Sequence, residues 1–222
     1  NKQSLINDQV NAIIEDEEGD LWFATNNGIS LYEHRNKQWH SFLSVFNTDH
    51  KNQSHTFISL CEISPGIIWA GGYFSGIYQI DKRTSKTTYF TPALYAREDI
   101  RPDKYIRDIR KDSHGYIWTG GYYNLKRINV QTKDIRLYHG LHSVTAIIEK
   151  DDKSMWIGTA TGLHLLDKES GKFERIQLPV ESTYIYSLYQ TKKGSLYIGT
   201  SGSGVLIYDP QTKLFTHYYT GN

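Results

Sequence analysis

The 222-residue chain has little cysteine, little net charge and no long apolar run. Its single cysteine, Cys61, excludes an intramolecular disulfide and a cysteine-based zinc site. No segment approaches the roughly 20 apolar residues that span a bilayer, so we expect no direct membrane contact. The formal net charge is +1, with acids and bases interspersed. Because nucleic-acid-binding domains carry a basic face or stripe, we expect no nucleic acid as a partner.

Residue patterns that signal catalysis or metal binding are also missing. The acidic cluster at residues 16–20 lies in a predicted turn, where acids are common. Cys61 lies in an apolar strand pattern without a neighbouring base, which favours a packing role. Four histidines form two loose pairs without recognised metal-ligand spacing, His50 with His55 and His139 with His142. We therefore expect no catalytic residues, no metal site and no cofactor.

What the chain does have is a motif that occurs five times. The copies align on an aromatic residue that follows a tight turn: Trp22, Trp69, Trp118, Trp156 and Tyr197. An apolar residue stands twelve positions before each of them: Val10, Phe57, Ile106, Val144 and Ile185. A constant spacing inside copies that lie at variable intervals indicates a repeated structural unit.

Each copy contains about four strand-like segments separated by turn residues, such as Asp16 and Gly19 in the first unit. Four antiparallel strands in about 40 to 45 residues is the period of a β-propeller blade. We predict an all-β fold, a β-propeller of about five four-stranded antiparallel blades in one repeat array over residues 1–222. The approximate blades are 5–43, 52–91, 101–139, 140–179 and 180–219. The repeated aromatic residue should pack between neighbouring blades, where a large ring covers much apolar surface.

The repeated motif V-x-x-I-x-x-D-x-x-G-x-L-W-x-(G/A)-T-x-x-G-(I/L) resembles the two-component regulator propeller repeat. The resemblance covers the whole chain and is close in the first and fourth units. The second unit has Ser64-Pro65-Gly66 and lacks the turn aspartate, the third has Asn124 where glycine is expected, and the fifth has Tyr197 for tryptophan.

This resemblance implies a role in signal transduction. Such repeats form the periplasmic sensing region of hybrid two-component systems, typical of Bacteroides-type bacteria, whose parent chains carry histidine kinase activity. The resemblance also implies that this chain is an excised segment of a larger, seven-bladed type propeller array, or else a smaller ring.

Two blades carry unusual loops on the same face of the predicted propeller. The long insertions 43–56 and 91–104 precede inner strands, and the matching inner loops read GGYFS and GGYYN. We take the following loop residues as candidate ligand-binding residues: Tyr73, Phe74, Tyr122, Tyr123 and Asn124. Aromatic faces beside amide and hydroxyl groups suit a sugar. The alternative is that these rings simply cover blade edges.

The second and third residues of each predicted inner strand should lie near the mouth of the central channel. The second residues are Asn11, Ile58, Arg107, Thr145 and Tyr186, and the third are Ala12, Ser59, Asp108, Ala146 and Ser187. Arg107 stands beside Asp108, and charged residues are uncommon on innermost strands. An arginine presents a planar fork of donors that can bind a carboxylate, a sulfate or a hydroxyl. Arg107, Asp108 and Tyr186 therefore join the candidate ligand-binding residues. Alternatively, the Arg–Asp pair faces neighbouring blades and satisfies buried backbone groups.

Three functions remain open. In the first, the segment binds an oligosaccharide or other small glycan and signals through a change of conformation or assembly. In the second, it is a scaffold or dimerisation propeller without a ligand, whose partners are other blades of the parent chain or a second subunit. In the third, it is a lyase or glycosidase, which would need an acid or a histidine facing the channel. We expect the first and expect this segment not to be an enzyme.

Overall fold

The computed structural model describes residues 4–43, 54–90 and 104–220, which form twenty strands and no helix. His50 and most residues of the two predicted insertions, 43–56 and 91–104, lie outside the described residues. In the described part of the chain, no helix is long and apolar enough to cross a membrane. The strands are β1 (Val10–Glu15), β2 (Leu21–Thr25), β3 (Gly28–Glu33), β4 (Gln38–Phe42), β5 (Phe57–Ser64), β6 (Ile67–Gly72), β7 (Ile77–Asp81), β8 (Lys86–Tyr89), β9 (Ile106–Lys111), β10 (Ile117–Gly121), β11 (Leu125–Ile128), β12 (Ile135–Tyr138), β13 (Val144–Glu149), β14 (Ser154–Thr159), β15 (Gly162–Asp167), β16 (Phe173–Ile176), β17 (Ile185–Gln190), β18 (Leu196–Thr200), β19 (Val205–Asp209) and β20 (Leu214–Tyr218).

The strands form five four-stranded antiparallel sheets, each built from four consecutive strands in sequence order. The first strand of each sheet packs against the first strand of the next, so β1, β5, β9, β13 and β17 are the inner strands. The prediction of an all-β propeller built of four-stranded blades is confirmed. We number the sheets blades 1 to 5 along the chain.

The repeated tryptophan fills the junction between consecutive blades. Trp22, Trp69 and Trp118 are fully buried and Trp156 is 1% exposed, whereas Tyr197 of blade 5 is 39% exposed. Trp22 lies in one apolar cluster with Phe57, Leu60 and Ile68 of blade 2. A single blade therefore leaves an apolar face that only another blade covers, which explains why the motif recurs.

A glycine two residues after the tryptophan lets the next blade approach closely. A Cβ atom at Gly120 would lie 2.3 Å from Cγ1 of Val144, and one at Gly158 would lie 2.7 Å from Cγ2 of Ile185. Val144 and Ile185 are the first residues of the next inner strands. The glycine of the motif thus makes room for the apolar residue that begins the following blade.

Two of the junctions also contain a lysine whose side chain is 10% exposed or less, Lys82 and Lys168. Lys82 Nζ of blade 2 lies 2.7 Å from Asp16 Oδ2 and 2.6 Å from Asp20 Oδ2, in the turn of blade 1. Lys168 of blade 4 binds Glu149 and lies 3.7 Å from Asp112 Oδ2 in the turn of blade 3. Burial favours a neutral amine, but the carboxylates around Lys82 outweigh it and raise its pKa.

We call the side of the molecule that carries the turns at residues 16–20 and 112–116 the turn face. The opposite side carries the loops at residues 72–76 and 121–124 and the first residues of the inner strands, and we call it the loop face.

Candidate functional site

A β-bulge near the start of every inner strand points one side chain toward the centre of the loop face. In blade 1, Val10 pairs with Thr25 and Ala12 pairs with Ala24. Since Thr25 and Ala24 are adjacent in β2, Asn11 has no pairing partner in that strand. The same irregularity leaves out one residue in each of the other blades: Ile58, Arg107, Thr145 and Tyr186. A bulge leaves its extra residue unpaired and re-aims its side chain. These are five of the ten positions that the sequence predicts near the channel mouth, and the residues that follow them line neither of the two cavities described below.

The five bulged residues line one cavity of about 600 Å³, which we call the central cavity. Asn26, Thr56, Tyr73 and Tyr105 complete its lining. Asn11 Nδ2 donates to Asn26 Oδ1 at 2.8 Å and to the Phe57 carbonyl at 2.8 Å, which fixes the amide between blades 1 and 2. Amides and hydroxyls therefore dominate the central cavity, whose size falls within the range of roughly 300 to 1,000 Å³ typical of small-molecule sites.

A second cavity of about 730 Å³ lies beside it, across blades 2 to 5, and we call it the aromatic cleft. Four of the predicted aromatic residues line it: Tyr73, Phe74, Tyr122 and Tyr123. Their exposed fractions are 42%, 60%, 57% and 40%, so large parts of these rings face solvent. Tyr73 meets Phe74 edge to face at 4.6 Å between ring centroids, and Tyr122 meets Tyr123 in the same way at 5.0 Å.

Backbone hydrogen bonds hold the two aromatic loops. Tyr73 N–H donates to the Thr56 carbonyl at 2.8 Å, and Ser143 N–H donates to the Tyr122 carbonyl at 3.0 Å. His142 Nδ1 lies 2.8 Å from the Tyr123 carbonyl, which can only accept, so this nitrogen carries the proton. Phe74 has a φ of 64°, a left-handed conformation that is unusual for an aromatic residue. The rings are thus presented on fixed rather than free loops.

Arg107 stands where the two cavities meet, since it lines both of them. Its Nη1 donates to the Tyr105 hydroxyl at 2.8 Å. Its Cζ lies 5.9 Å from the Tyr105 ring centroid and 5.8 Å from that of Tyr184. A guanidinium this close to two rings is attracted by their electron-rich faces, which restrains its position.

Asp108 does not line either cavity, although it was predicted together with Arg107. It is buried between blades 3 and 4, and its Oδ2 accepts a hydrogen bond of 2.7 Å from the Ile147 N–H. Burial raises the pKa of the Asp108 carboxyl, although the nearby Arg110 opposes the change. For Asp108 the structure shows the alternative arrangement, in which a polar side chain satisfies a backbone group of the neighbouring blade. Asn124, just before β11, also lies outside both linings.

Two tyrosines of the site escaped the sequence prediction. Tyr105 and Tyr184 line the aromatic cleft, and each directly precedes the apolar residue that begins an inner strand. The same position of the repeat holds Gln9, Thr56 and Ser143 in the other blades. This position of the repeat lies two residues before the bulged residue and on the same face of the molecule. Comparing the residues at this position in the five copies would therefore have identified Tyr105 and Tyr184 as candidates.

Neither cavity has the residues of a catalytic or metal site. No aspartate, glutamate or histidine from the described ranges lines the aromatic cleft or the central cavity. Cys61 lies away from both, and burial raises the pKa of its thiol to about 11, which disfavours the nucleophilic thiolate.

One group of potential metal ligands lies on the turn face: Asp112, His114 and Glu149, with ligand atoms within 4.8 Å of one another. The carboxylates of this group already have partners. Trp118 Nε1 donates to Asp112 Oδ2 at 2.8 Å, and Glu149 accepts from Ser113 and binds Lys168. A lysine ammonium at this position repels a cation, so the group does not favour a metal.

The family model described as two component regulator propeller matches residues 4–27 and 179–202. The matched segments contain β1 and β2 of blade 1 and β17 and β18 of blade 5. No curated protein sequence matches the chain.

Several solved structures share the fold. The extracellular domain of a putative hybrid two component system from B. thetaiotaomicron has a TM-score of 0.79 and 19% identity, over 96% of this chain and 30% of that chain. The extracellular domain of a putative one component system from the same organism has a TM-score of 0.77 and 21% identity, over 97% of this chain and 30% of that one. Virginiamycin B lyase from Staphylococcus aureus has a TM-score of 0.73 and 15% identity, over 93% and 68%.

At such identities these structures establish the fold and not the activity. The chain spans under a third of the length of the two sensor domains, of which it covers 30% each. Together with the two matched segments, they confirm the resemblance predicted from the motif. The chain is an array of propeller blades, and its first and fifth blades match the two component regulator propeller family.

Proposed function

We propose that this chain is a ligand-sensing part of a periplasmic two-component sensor and that its ligand is an oligosaccharide or other small glycan. The aromatic cleft carries this proposal. Four partly exposed aromatic rings line it next to hydroxyl and guanidinium groups. A sugar offers apolar C–H faces that stack on such rings and hydroxyls that need hydrogen-bond partners.

The similar sensor domains support the signalling context. Both structures from B. thetaiotaomicron are extracellular domains of regulatory systems. In a parent sensor with a histidine kinase, the ligand would have to bind one arrangement of blades or subunits more tightly than another, because only differential affinity shifts such an equilibrium. A cleft formed by residues of blades 2, 3, 4 and 5 supports this proposal, since a ligand there would contact several blades at once.

A scaffold or dimerisation role is the second candidate, and one observation favours it. Tyr189 and Tyr197 of blade 5 are 64% and 39% exposed, and their rings lie 6.2 Å apart on a face that no described blade covers. This surface suits another blade of a parent chain or a second subunit. Catalysis by a lyase or glycosidase is less well supported, because the described cavity linings offer no acid or histidine as a proton donor or acceptor.

Thermal unfolding against a panel of plant, host and microbial oligosaccharides tests the sensor proposal. A ligand that binds only the folded state raises the melting temperature as its concentration increases. We expect such a shift with one glycan class, and we expect the Tyr122→Ala/Tyr123→Ala variant to lose it.

The matched control is the Tyr218→Ala/Tyr219→Ala variant, which removes two exposed tyrosines from the end of blade 5. It should keep the ligand-induced shift. If no glycan shifts the melting temperature of cooperatively unfolding protein, the scaffold role replaces the sensor role. Concentration-dependent association that the Tyr189→Ala/Tyr197→Ala variant abolishes would support that replacement.

A further inference from the structure

The aromatic cleft and the central cavity adjoin each other. Four residues line both of them: Tyr73, Tyr105, Arg107 and Thr145. The cleft supplies aromatic faces, while the central cavity supplies amides and hydroxyls. Since each is large enough to be a small-molecule site by itself, a ligand that fills both extends beyond one sugar ring.

The charge at this junction has one sign. Lys104 and Arg107 line the aromatic cleft, and no acidic residue in the described part of the chain lines either cavity. Lys82 and Lys168, at the blade junctions of the turn face, both lie against carboxylates. Among the described residues, the neighbours of Arg107 are the Tyr105 hydroxyl and two rings, which orient the guanidinium without neutralising it.

A buried hydroxyl lies at the same junction. Thr145 is 6% exposed, and its Oγ1 has no hydrogen-bond partner within the described residues. A buried polar atom without a partner costs free energy unless something binds it. Thr145 lines both cavities, so a ligand oxygen at the junction could satisfy this hydroxyl together with Arg107.

We propose that the ligand is an acidic oligosaccharide of at least two sugar units, whose carboxylate or sulfate binds Arg107. One sugar ring stacks in the aromatic cleft, and the neighbouring unit places its hydroxyls in the central cavity. This inference rests on the glycan-sensing function proposed above and adds the charge and the minimum length of the ligand. A planar guanidinium binds two oxygens of an anionic group at once, which gives it selectivity over a neutral hydroxyl.

Matched glycan pairs test the inference by titration calorimetry. The uronate pair is a series of oligogalacturonides of one to four units and the same series with its carboxyl groups reduced. The sulfate pair is a 6-sulfated lactosamine disaccharide and its desulfated form. We expect one acidic member to bind at least about tenfold more tightly than its neutral partner, as the strength of charge-assisted hydrogen bonds implies. That advantage should shrink as salt concentration rises. In the uronate series, the monosaccharide should bind at least about tenfold more weakly than the disaccharide.

Three variants assign the selectivity to Arg107. Arg107→Gln keeps a polar side chain and should abolish the difference between acidic and neutral partners. Arg107→Lys keeps the charge without the fork and should retain part of the difference. Lys193→Gln removes one positive charge from the exposed β17–β18 turn on the opposite face and should bind like the unmodified protein.

The outcomes separate this inference from the proposed function. Neutral members that bind as tightly as acidic ones, or an Arg107→Gln variant with unchanged selectivity, overturn the acidic ligand and leave glycan sensing in place. A monosaccharide that binds as tightly as the disaccharide overturns the minimum length. Failure of every acidic and neutral glycan to bind removes the proposed function, and the inference with it.

Discussion

Lys82 and Lys168 on the turn face have different neighbours from Arg107 on the loop face. On the turn face, Lys82 contacts Asp16 and Asp20, and Lys168 contacts Glu149. On the loop face, Arg107 lies between two tyrosine rings at the meeting point of two cavities. Both faces come from the same repeat, in which successive strands connect alternately on one face and on the other.

This difference separates residues that hold blades together from residues that are available to a ligand. The lysines of the turn face cross from one blade into the turn of the previous one, where their charges are matched by carboxylates. The loop face leaves aromatic area exposed and the Thr145 hydroxyl without a partner among the described residues. Groups left unsatisfied by the fold are typical of binding sites, because a ligand can supply what is missing.

The largest expected effect contrasts two aromatic residues of blade 3. Trp118 is fully buried and donates to Asp112, whereas Tyr122 is 57% exposed. Trp118→Ala should lower the free energy of unfolding by about 3 to 5 kcal/mol, as for other buried large-to-small substitutions. Tyr122→Ala should change it by less than about 1 kcal/mol. Chemical denaturation measures both, and similar losses for the two variants would contradict the division of roles between the faces.

A second contrast concerns the cations themselves. Lys168→Met removes the positive charge near two carboxylates, Glu149 and Asp112. It should lower the free energy of unfolding by about 3 kcal/mol, because breaking a buried ion pair leaves the charge of the remaining partner uncompensated. Arg107→Gln should cost less than about 1 kcal/mol. The exposed Lys153→Met on the turn face is the control for loss of a lysine and should be near neutral. A destabilising Arg107→Gln beside a neutral Lys168→Met would reverse the assignment of the two faces.

The sequence was sufficient to predict the fold, because the twelve-residue spacing and the tryptophan reflect how blades pack. It also predicted two adjacent columns of the repeat near the channel mouth, of which only the column with Arg107 and Tyr186 lines the central cavity. It did not separate Arg107 from Asp108. Both are polar. Successive side chains of a strand point to opposite faces, and the bulge at Arg107, which shifts the pairing by one residue, decides which of the two side chains faces the channel. The contacts of Tyr105 and Tyr184 with Arg107 depend on how blades 3 and 5 are placed in space, which local patterns do not encode.

The pH dependence of the free energy of unfolding should arise in part from Asp16 on the turn face. Burial opposes ionisation of Asp16, but hydrogen bonds from Lys82 and Trp22 prevail and lower its pKa from 3.8. A depressed folded-state pKa stabilises the protein above the unfolded-state value, and this stabilisation is lost as the pH falls through the folded-state pKa. Asp16→Asn should therefore cost roughly 2 kcal/mol at pH 7 and progressively less below pH of about 4. Denaturation of both proteins from pH 2 to 7 measures the difference, and a cost that does not change with pH would contradict this role.

The smallest expected change in the free energy of unfolding concerns the loop face, and it is a gain where the preceding variants give losses. Phe74 adopts a φ of 64° and is 60% exposed. Its ring therefore contributes little to the free energy of unfolding, while its backbone conformation is strained. Asparagine tolerates this conformation, and Phe74→Asn should leave the free energy of unfolding unchanged or raise it by about 0.5 kcal/mol. Tyr73→Asn, at a neighbouring position without positive φ, should lower it. The same Phe74→Asn variant should bind glycan more weakly, because the cleft loses a stacking surface. Stability that rises while affinity falls would show that the aromatic loops are shaped for a ligand, and a loss of stability without loss of affinity would assign Phe74 to the fold instead.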